Sequence, residues 1–272
     1  MPIVFACAVS HAPGITARPE AAPPERSAPF YAAYRSLGSV LAAARCDAIV
    51  MFTAEHWTNF FIDNYPAFCI GRAESYTGPV ETLINIPVCT VPGDPELGKR
   101  LLQACYDTGI EPSFSEELKL DHGTMIPLHF LSPGMDVPVV PIFVNALAPP
   151  LPALRRCYDL GRAVGGALAA TDKRVAVVAT GGLSHRPGTP HTGEVDESFD
   201  RAFLADFCAT DPERLLAGLG AGVGHAGVGT NEVRNWLALA GAAQGWRGEV
   251  LSYEPIPAWT TGCAIVNLVK PG

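Results

Sequence analysis

Three histidines of this 272-residue chain stand in equivalent places, each a few residues after a short apolar run. His11 follows one run as Val-Ser-His, His56 follows a second as Thr-Ala-Glu-His, and His185 follows a third as Gly-Gly-Leu-Ser-His. Neutral imidazole binds metals, and it is the side chain whose charge changes closest to neutral pH. A lone histidine after a strand more often makes a loop hydrogen bond. Three of the seven histidines in one kind of place favour a shared site.

Two more residues are candidates for that site. His122 lies in Leu-Asp-His-Gly-Thr, and the residues leave two interpretations open: Asp121 is a helix cap without chemistry, or His122 is held neutral at a helix N-terminus by the helix dipole. Glu232 opens a helical segment, where an acid ordinarily complements the dipole. A two-histidine metal site, however, needs a carboxylate to balance its charge. Glu55 is a weaker ligand candidate, because it points away from His56 on an extended chain.

The elements that must position these residues follow from hydrophobic patterning. Continuously apolar runs predict strands covered on both faces. These predicted strands are Ile3–Val9, Ala48–Thr53, Val137–Val144, Val175–Thr180 and Ala264–Val269. Helical spacing predicts helices at Phe30–Ala44, Pro95–Tyr106, Leu151–Ala170, Phe199–Phe207 and Glu232–Ala243. Strands that alternate with helices predict an α/β fold with a central, mostly parallel or mixed sheet flanked by helices. No linker divides the chain, so we expect one domain over residues 1–272.

The connections and the other histidines complete the prediction. Residues 10–29 and 181–198 are predicted to be long connections, which in compact domains are usually functional or disordered. His129 is predicted to be a partly buried helix residue, and His191 and His225 are predicted to be solvated in loops. Open α/β sheets bind ligands beyond the carboxyl ends of their strands. The three strand-end rings therefore meet there if their strands are neighbours and parallel.

Composition excludes several classes of protein. The chain has 27 acidic and 19 basic residues, a formal charge of -8, and no clustered Lys and Arg of the kind that nucleic-acid binding requires. Its eight cysteines include no Cys-x-x-Cys pair, and several lie in apolar runs, as expected for reduced thiols. No apolar stretch approaches the roughly 20 residues of a membrane span, and no basic leader precedes Ile3. We therefore expect a cytoplasmic protein.

A set of short motifs, in order along nearly the whole chain, resembles the class III (LigB-type) extradiol ring-cleavage dioxygenases. The matching pieces are Ser10-His11, Glu55-His56, Phe60-Phe61-Ile62-Asp63, Pro66 to Gly71, Asp121-His122-Gly123, Pro138 to Asn145, Gly181 to His185, Asn231-Glu232 and Pro255 to Trp259. Several pieces look most like the 2,3-dihydroxyphenylpropionate 1,2-dioxygenases. The length from His185 to Glu232 is nearer to that of protocatechuate 4,5-dioxygenase catalytic subunits.

The resemblance implies roles for five residues. His11, His56 and Glu232 correspond to ligands of an Fe(II) ion, whereas His185 and His122 correspond to the acid and base histidines over the substrate. The residues alone group His185 with the ligands, and the resemblance moves it to the second role. The implied reaction is extradiol cleavage of a catecholic ring by O2 to a muconic semialdehyde or keto acid. The implied partners are a catechol, O2, further copies of the chain and, in some relatives, a small accessory subunit.

Two rival hypotheses accompany this one. The same fold with zinc would suit a DOPA-type dioxygenase or a hydrolytic relative. A degenerate relative would instead serve as a non-catalytic scaffold, but a scaffold has no physical need for all five residues. If the substrate carries a carboxylate, a basic residue should lie near the site, and Arg18, Arg35 and Arg186 are candidates by position.

Overall fold

A computed structural model describes residues 2–271, apart from the side chain of Ala221. The strands of this part of the chain are β1 (Ile3–Val9), β2 (Ala48–Thr53), β3 (Phe68–Gly71), β4 (Ser75–Gly78), β5 (Cys89–Pro92), β6 (Ser113–Ser115), β7 (Val139–Val144), β8 (Val175–Thr180), β9 (Arg247–Ile256) and β10 (Thr261–Val269). Its α-helices are α1 (Gly14–Ala17), α2 (Pro24–Ala44), α3 (Pro95–Asp107), α4 (His122–Leu131), α5 (Leu154–Ala169), α6 (Glu197–Cys208), α7 (Pro212–Gly222) and α8 (Val233–Ala242).

The strands form a mixed sheet in the order β6-β3-β7-β2-β8-β1-β10-β9, beside a separate β4-β5 hairpin. The four central strands β7, β2, β8 and β1 are parallel to one another. β3 pairs antiparallel with β7, and β10 pairs antiparallel with both β1 and β9. Every residue of β2, β7 and β8 is buried. The continuous apolar runs of the sequence are thus the central parallel strands, covered by helices on both faces.

Alternate side chains of the central strands enter two hydrophobic cores. On β2, Val50 and Phe52 pack into the core shared with α3, α5 and α8, while Ile49 and Met51 pack into the core shared with α2 and α4. This is the period-two alternation of a strand. The sheet is therefore the middle layer of three, and its strand ends have fixed positions.

Close backbone packing holds α8, the helix that Glu232 precedes. A Cβ added to Gly161 of α5 would lie 1.8 Å from the carbonyl oxygen of Ala238, so only glycine lets the two helices approach this closely. The Asn235 side chain also donates to the carbonyl oxygen of Thr180 at the end of β8, at 2.7 Å. Helix α8 is thereby fixed to both its neighbouring helix and the sheet.

The predicted fold class is confirmed, but the predicted elements do not include β3, β4, β5, β6, β9, α1 or α7. The structure corrects the prediction of a connection over residues 10–29, because α1 lies within it and α2 begins at Pro24. Pro24 is at the first helical position, where its missing N–H costs no hydrogen bond. His129 lies on α4 as expected but is exposed rather than partly buried. Among the described residues, no helix is long and apolar enough to cross a membrane.

Candidate metal centre and active site

The carboxyl ends of three adjacent parallel strands deliver three histidines to one edge of the sheet. His11 lies two residues beyond β1, His56 three residues beyond β2, and His185 five residues beyond β8, which runs between the other two strands. Glu232 ends a 3-10 turn, Val228–Glu232, that leads into α8. The structure thus brings these four residues to the crevice where open α/β sheets bind ligands.

Glu232 lies between two imidazoles. Its Oε2 is 3.2 Å from His11 Nε2, and its Oε1 is 3.1 Å from His56 Nε2. His11 and Glu232 are both 2% exposed, so water does not screen this junction. The backbone N–H of Gly182 donates to Oε2 at 2.6 Å and holds the carboxylate in place. The three predicted ligands therefore converge on one small volume.

Each of these two imidazoles is oriented by an acceptor at its other nitrogen. His11 Nδ1 is 2.9 Å from Thr180 Oγ1, and the Thr180 hydroxyl can donate in turn to the carbonyl oxygen of Gly123 at 2.9 Å. His56 Nδ1 is 3.0 Å from Asp121 Oδ2, which also accepts from the His56 backbone N–H at 2.8 Å. Nδ1 carries the proton in this arrangement, so the Nε2 lone pair of each ring faces Glu232.

A lone pair that faces a carboxylate oxygen needs a cation between them. His11 Nε2 is buried and has no hydrogen-bond partner among the described residues. An unpartnered buried polar atom is costly, and two nitrogen lone pairs beside one carboxylate are a donor set that suits a divalent metal ion. The residues present therefore fit a metal ion at this junction.

Without a metal ion, protons must occupy the same place. Burial lowers the pKa of His56, but Asp121 and Glu232 outweigh burial and raise it to about 10. Burial raises the pKa of Glu232, but His11 and His56 hold it well below its usual range. The carboxylate stays ionised, and a bound metal would displace the protons of its imidazole partners.

His122 is the first residue of α4 and lies against His56, with ring centroids 3.9 Å apart. One nitrogen each of His11, His56 and His122 lies within 4.8 Å of the others. Burial and the neighbouring His56 lower the pKa of His122. The structure thus offers two overlapping donor sets, the three imidazoles or the predicted pair with Glu232. Asp121 caps α4 by accepting from the Gly123 N–H at 2.9 Å, but it is more than a cap, because its other oxygen accepts from His56. His122 stands at the helix N-terminus, as the second interpretation expects.

His185 lies further from Glu232 than His11 and His56 do. Its Nδ1 is 3.0 Å from the carbonyl oxygen of Leu183, and its Nε2 is 4.0 Å from Glu232 Oε1, beyond hydrogen-bond reach. The ring lies against Gly229, where an added Cβ would be 2.1 Å from His185 Nε2. The loop is anchored beneath by buried Asp200, which accepts from both the N–H and the hydroxyl of Ser184 at 2.8 and 2.9 Å. His185 is therefore beside the junction without being part of it.

Glu55, the weaker ligand candidate, has a structural role in the turn after His56. Its carboxylate accepts from the backbone N–H groups of Trp57 at 3.0 Å, Thr58 at 2.5 Å and Asn59. Burial is the main cause that raises its pKa. The acid thus fixes the loop that carries His56 rather than facing the other imidazoles.

The remaining candidates are exposed or make other contacts. His191 and His225 are exposed, as predicted. Arg186 follows His185 but donates to the carbonyl oxygen of His225 at 2.7 Å. Arg35 lines a groove between α2 and the end of α4. Arg18 is exposed, and its carbonyl oxygen accepts from Trp259 Nε1 at 3.0 Å.

Three residues that position the histidines were not singled out as such from the sequence. The sequence indicates Asp121 only as a cap, although its second oxygen lies 3.0 Å from His56 Nδ1. Thr180 is the last residue of a buried strand, and a polar residue there is a signal that could have been used. Glu81, whose Oε1 is 2.6 Å from His122 Nδ1, lies 41 positions away in an irregular loop that no local pattern marks.

Comparison with known proteins gives a family match over most of the chain. Residues 5–264 match the family model described as the catalytic LigB subunit of aromatic ring-opening dioxygenase. A 2,3-dihydroxyphenylpropionate/2,3-dihydroxicinnamic acid 1,2-dioxygenase from Photorhabdus laumondii is 32% identical, over 80% of this chain and 83% of its own length. An enzyme of the same name from Paraburkholderia xenovorans is 31% identical, over 82% of this chain and 87% of its own length.

The fold also resembles a solved structure. The crystal structure of an uncharacterized protein from Escherichia coli K12 matches with a TM-score of 0.65 at 17% identity, over 97% of this chain and 99% of that one. At this identity the likeness shows the fold alone.

Proposed function

The chain belongs to the LigB family of catalytic subunits of aromatic ring-opening dioxygenases and is an extradiol ring-cleavage enzyme. We propose that it opens a catechol of the dihydroxyphenylpropionate type with iron(II) and O2. The carbon–carbon bond beside one hydroxylated carbon breaks, and both atoms of O2 enter the ring-opened keto acid or semialdehyde. The observation that carries the proposal is the buried junction of His11, His56 and Glu232.

Iron(II) is the proposed metal because of the donor set. Two neutral imidazoles and one carboxylate on one face of an ion, with open positions opposite, are typical of non-haem iron(II) oxygenases. His11 and His56 would bind through Nε2 and Glu232 through its carboxylate. When bound, the metal would supply a common site for the catechol oxygens and O2, which brings the reactants together and allows electron transfer between them.

His185 and His122 are the proposed proton-transfer residues. The Nδ1 of His185 lies 3.0 Å from the carbonyl oxygen of Leu183, and the Nδ1 of His122 lies 2.6 Å from Glu81 Oε1. Nε2 of the neutral ring is then free to take a catechol proton and to return it to oxygen as the O–O bond breaks. An imidazole can perform both steps near neutral pH. The distance of 4.0 Å between His185 Nε2 and Glu232 Oε1 supports this role, because a ring beside the proposed metal ligands can reach a bound catechol.

The substrate class is taken from relatives. The Photorhabdus and Paraburkholderia enzymes are named for 2,3-dihydroxyphenylpropionate and 2,3-dihydroxicinnamic acid. We therefore propose a catechol with a three-carbon carboxylate side chain as the first compound to test, before unsubstituted catechol, protocatechuate and gallate. We also propose that residues 1–272 form one domain of a homo-oligomer, with a small accessory subunit as a further candidate partner. We propose a cytoplasmic location for this chain, because its eight cysteines are free thiols, as expected in a reducing compartment.

The test is reconstitution of the metal-free protein under anaerobic conditions. Samples loaded with Fe(II), Mn(II) or Zn(II) are mixed with each catechol, and air is then admitted. We expect a yellow ring-opened product with Fe(II) and 2,3-dihydroxyphenylpropionate. When the gas is ¹⁸O2, that product should contain two ¹⁸O atoms. Turnover with zinc but not iron would favour the zinc-dependent alternative. No ring-opened product with any metal would reject the proposed reaction.

A further inference from the structure

Glu81 is a partly buried acid whose carboxylate hydrogen-bonds to one residue. Its Oε1 is 2.6 Å from His122 Nδ1 and also accepts from the His122 backbone N–H at 3.2 Å. Its Oε2 is buried and has no hydrogen-bond partner within residues 2–271. The carboxylate therefore directs its hydrogen bonds in this part of the chain to His122 alone. A buried carboxylate oxygen without a partner is unfavourable. The hydrogen bonds that Glu81 does make, both to His122, therefore indicate the function of this side chain.

Backbone contacts bring Glu81 to the start of α4. Leu120 N–H donates to the carbonyl oxygen of Thr77 at 2.9 Å, and Val80 N–H donates to the carbonyl oxygen of Leu120 at 3.1 Å. Between them, Gly78 packs so closely that an added Cβ would lie 2.7 Å from Leu120 O. The segment before Glu81 is thus bound to the segment before His122. The carboxylate reaches the ring from a fixed backbone rather than from a free loop.

The ionised carboxylate of Glu81 determines which nitrogen of His122 carries the proton. An ionised carboxylate only accepts hydrogen bonds, so His122 Nδ1 must carry the proton that it donates. We propose that Glu81 is a positioning residue that fixes His122 as the Nδ1–H tautomer, with Nε2 available as the proton acceptor for the catechol. This inference rests on the proposed function for its catalytic meaning, but the tautomer itself is a property of the protein alone.

Asp121 provides the internal comparison. It holds His56 Nδ1 at 3.0 Å in the same way, but His56 Nε2 is already engaged by Glu232 at 3.1 Å. Hydrogen-bonded carboxylates behind metal-binding histidines fix the ring tautomer. Glu81 holds His122 Nδ1 in the same way, but the His122 ring lies outside the contacts of Glu232. The same chemistry thus serves metal binding at His56 and proton transfer at His122.

The first test measures the tautomer in metal-free protein labelled with ¹⁵N-histidine. The His122 signals are identified by their loss in His122→Ala, and long-range ¹H–¹⁵N correlations distinguish the two tautomers. We expect Nδ1–H in the wild type, a mixture in Glu81→Gln, whose amide can accept or donate, and mainly Nε2–H in Glu81→Ala. Glu194→Gln is the matched control, because it removes an exposed carboxylate 2.7 Å from His191 Nδ1. It should leave the His122 signals unchanged.

The second test measures steady-state kinetics of the iron-loaded enzyme. In Glu81→Ala we expect kcat to fall about 10- to 100-fold, as when a hydrogen-bonded partner of an active-site histidine is removed, with KM little changed and Glu81→Gln intermediate. Glu116→Gln, which removes a surface partner of Arg72, should have wild-type kinetics. A role in capping α4 alone would lower the melting temperature without moving the tautomer.

The two tests separate the inference from the proposed function. An unchanged tautomer in Glu81→Ala, or wild-type kcat in that variant, would overturn the role of Glu81 even if the enzyme cleaves catechols. Conversely, the expected tautomer change in a protein that cleaves no catechol would support the role of Glu81 as a positioning residue and reject the proposed reaction.

Discussion

The two pairs of histidines in the site are held in different ways. His11 and His56 follow the central strands β1 and β2 closely, and their Nε2 atoms lie 3.2 and 3.1 Å from Glu232. His122 begins a helix and His185 lies in a loop, and the Nε2 of His185 is 4.0 Å from the same carboxylate. A metal ion needs donors that converge from rigid elements, whereas proton transfer needs a ring beside the bound substrate. The difference in support therefore predicts the difference in role.

Removal of a ring from the first pair should have the largest effect. His11→Ala or His56→Ala leaves Glu232 with one imidazole at the junction, so we expect metal affinity to fall at least about 10-fold and turnover to disappear. Metal content after desalting, measured by mass spectrometry, checks this. His191→Ala, in an exposed loop, is the control and should retain wild-type metal content.

The same assay decides between the two overlapping donor sets. His122→Ala should retain the metal if His11, His56 and Glu232 form the site. If His122→Ala loses the metal while Glu232→Gln retains it, the three imidazoles form the site and the predicted ligand set is wrong.

Removal of His185 should separate metal binding from catalysis. We expect His185→Ala to retain the metal and to bind catechol anaerobically, because its Nε2 is beyond hydrogen-bond distance of Glu232. Its kcat should fall by about 10²- to 10⁴-fold, the usual worth of a positioned acid or base. Loss of the metal in this variant would instead return His185 to the ligands, as its strand-end position in the sequence first indicates.

A smaller change can displace His185 without removing it. Gly229→Ala puts a methyl group where the Nε2 of His185 now lies, since an added Cβ would be 2.1 Å from that atom. A displacement of about 1 Å can lower turnover by about 10²-fold, so we expect a loss of kcat with the metal retained. Gly224→Ala, where an added Cβ meets nothing within 4 Å, is the control in the same segment. Equal kinetics for the two variants would contradict the packing argument.

The sequence predicts the central sheet well because its strands are continuously apolar. Ile3–Val9, Ala48–Thr53 and Val175–Thr180 are strands at the predicted bounds. The outer elements were missed because they lack that signal. β9 mixes polar and apolar residues, and the local signal for α7 is the capping carboxylate of Asp211 before its first residue. Local patterns work for the longer, fully buried strands and fail at the edges of the sheet and for short strands such as β3, which is buried but only four residues long.

The site was predictable only in part, for a physical reason. The strand ends could be located, so the convergence of His11, His56 and His185 could be expected from topology. The partners of the rings could not, because contacts such as Glu81 with His122 join segments that are distant along the chain. The allocation of His185 to proton transfer came from resemblance rather than from spacing. The distances that separate it from the junction exist only in the folded chain.

Asp200 offers the smallest expected effect on turnover and a direct test of how the loop of His185 is held. Its carboxylate is fully buried and accepts from Ser184 and from the Tyr253 hydroxyl, the latter at 2.8 Å. Burial outweighs these hydrogen bonds and raises the pKa of Asp200 to about 6, from an ordinary value of 3.8. The folded protein therefore binds this proton more tightly than the unfolded chain, and its stability should decrease as pH rises from about 4 through 6.

The rise in pKa corresponds to about 3 kcal/mol of unfolding free energy. Asp200→Asn has no such proton, so the stability of the wild type relative to this variant should fall by nearly that amount between about pH 3 and pH 7. Urea unfolding in the presence of a chelator, which removes the separate pH dependence of metal binding, measures the difference. Because the Asn oxygen can still accept from Ser184 N–H, kcat at neutral pH should change less than about 10-fold. A difference in stability that is constant with pH would show that Asp200 is ionised in the fold at no cost, and the loop of His185 would then be anchored by a charged carboxylate throughout.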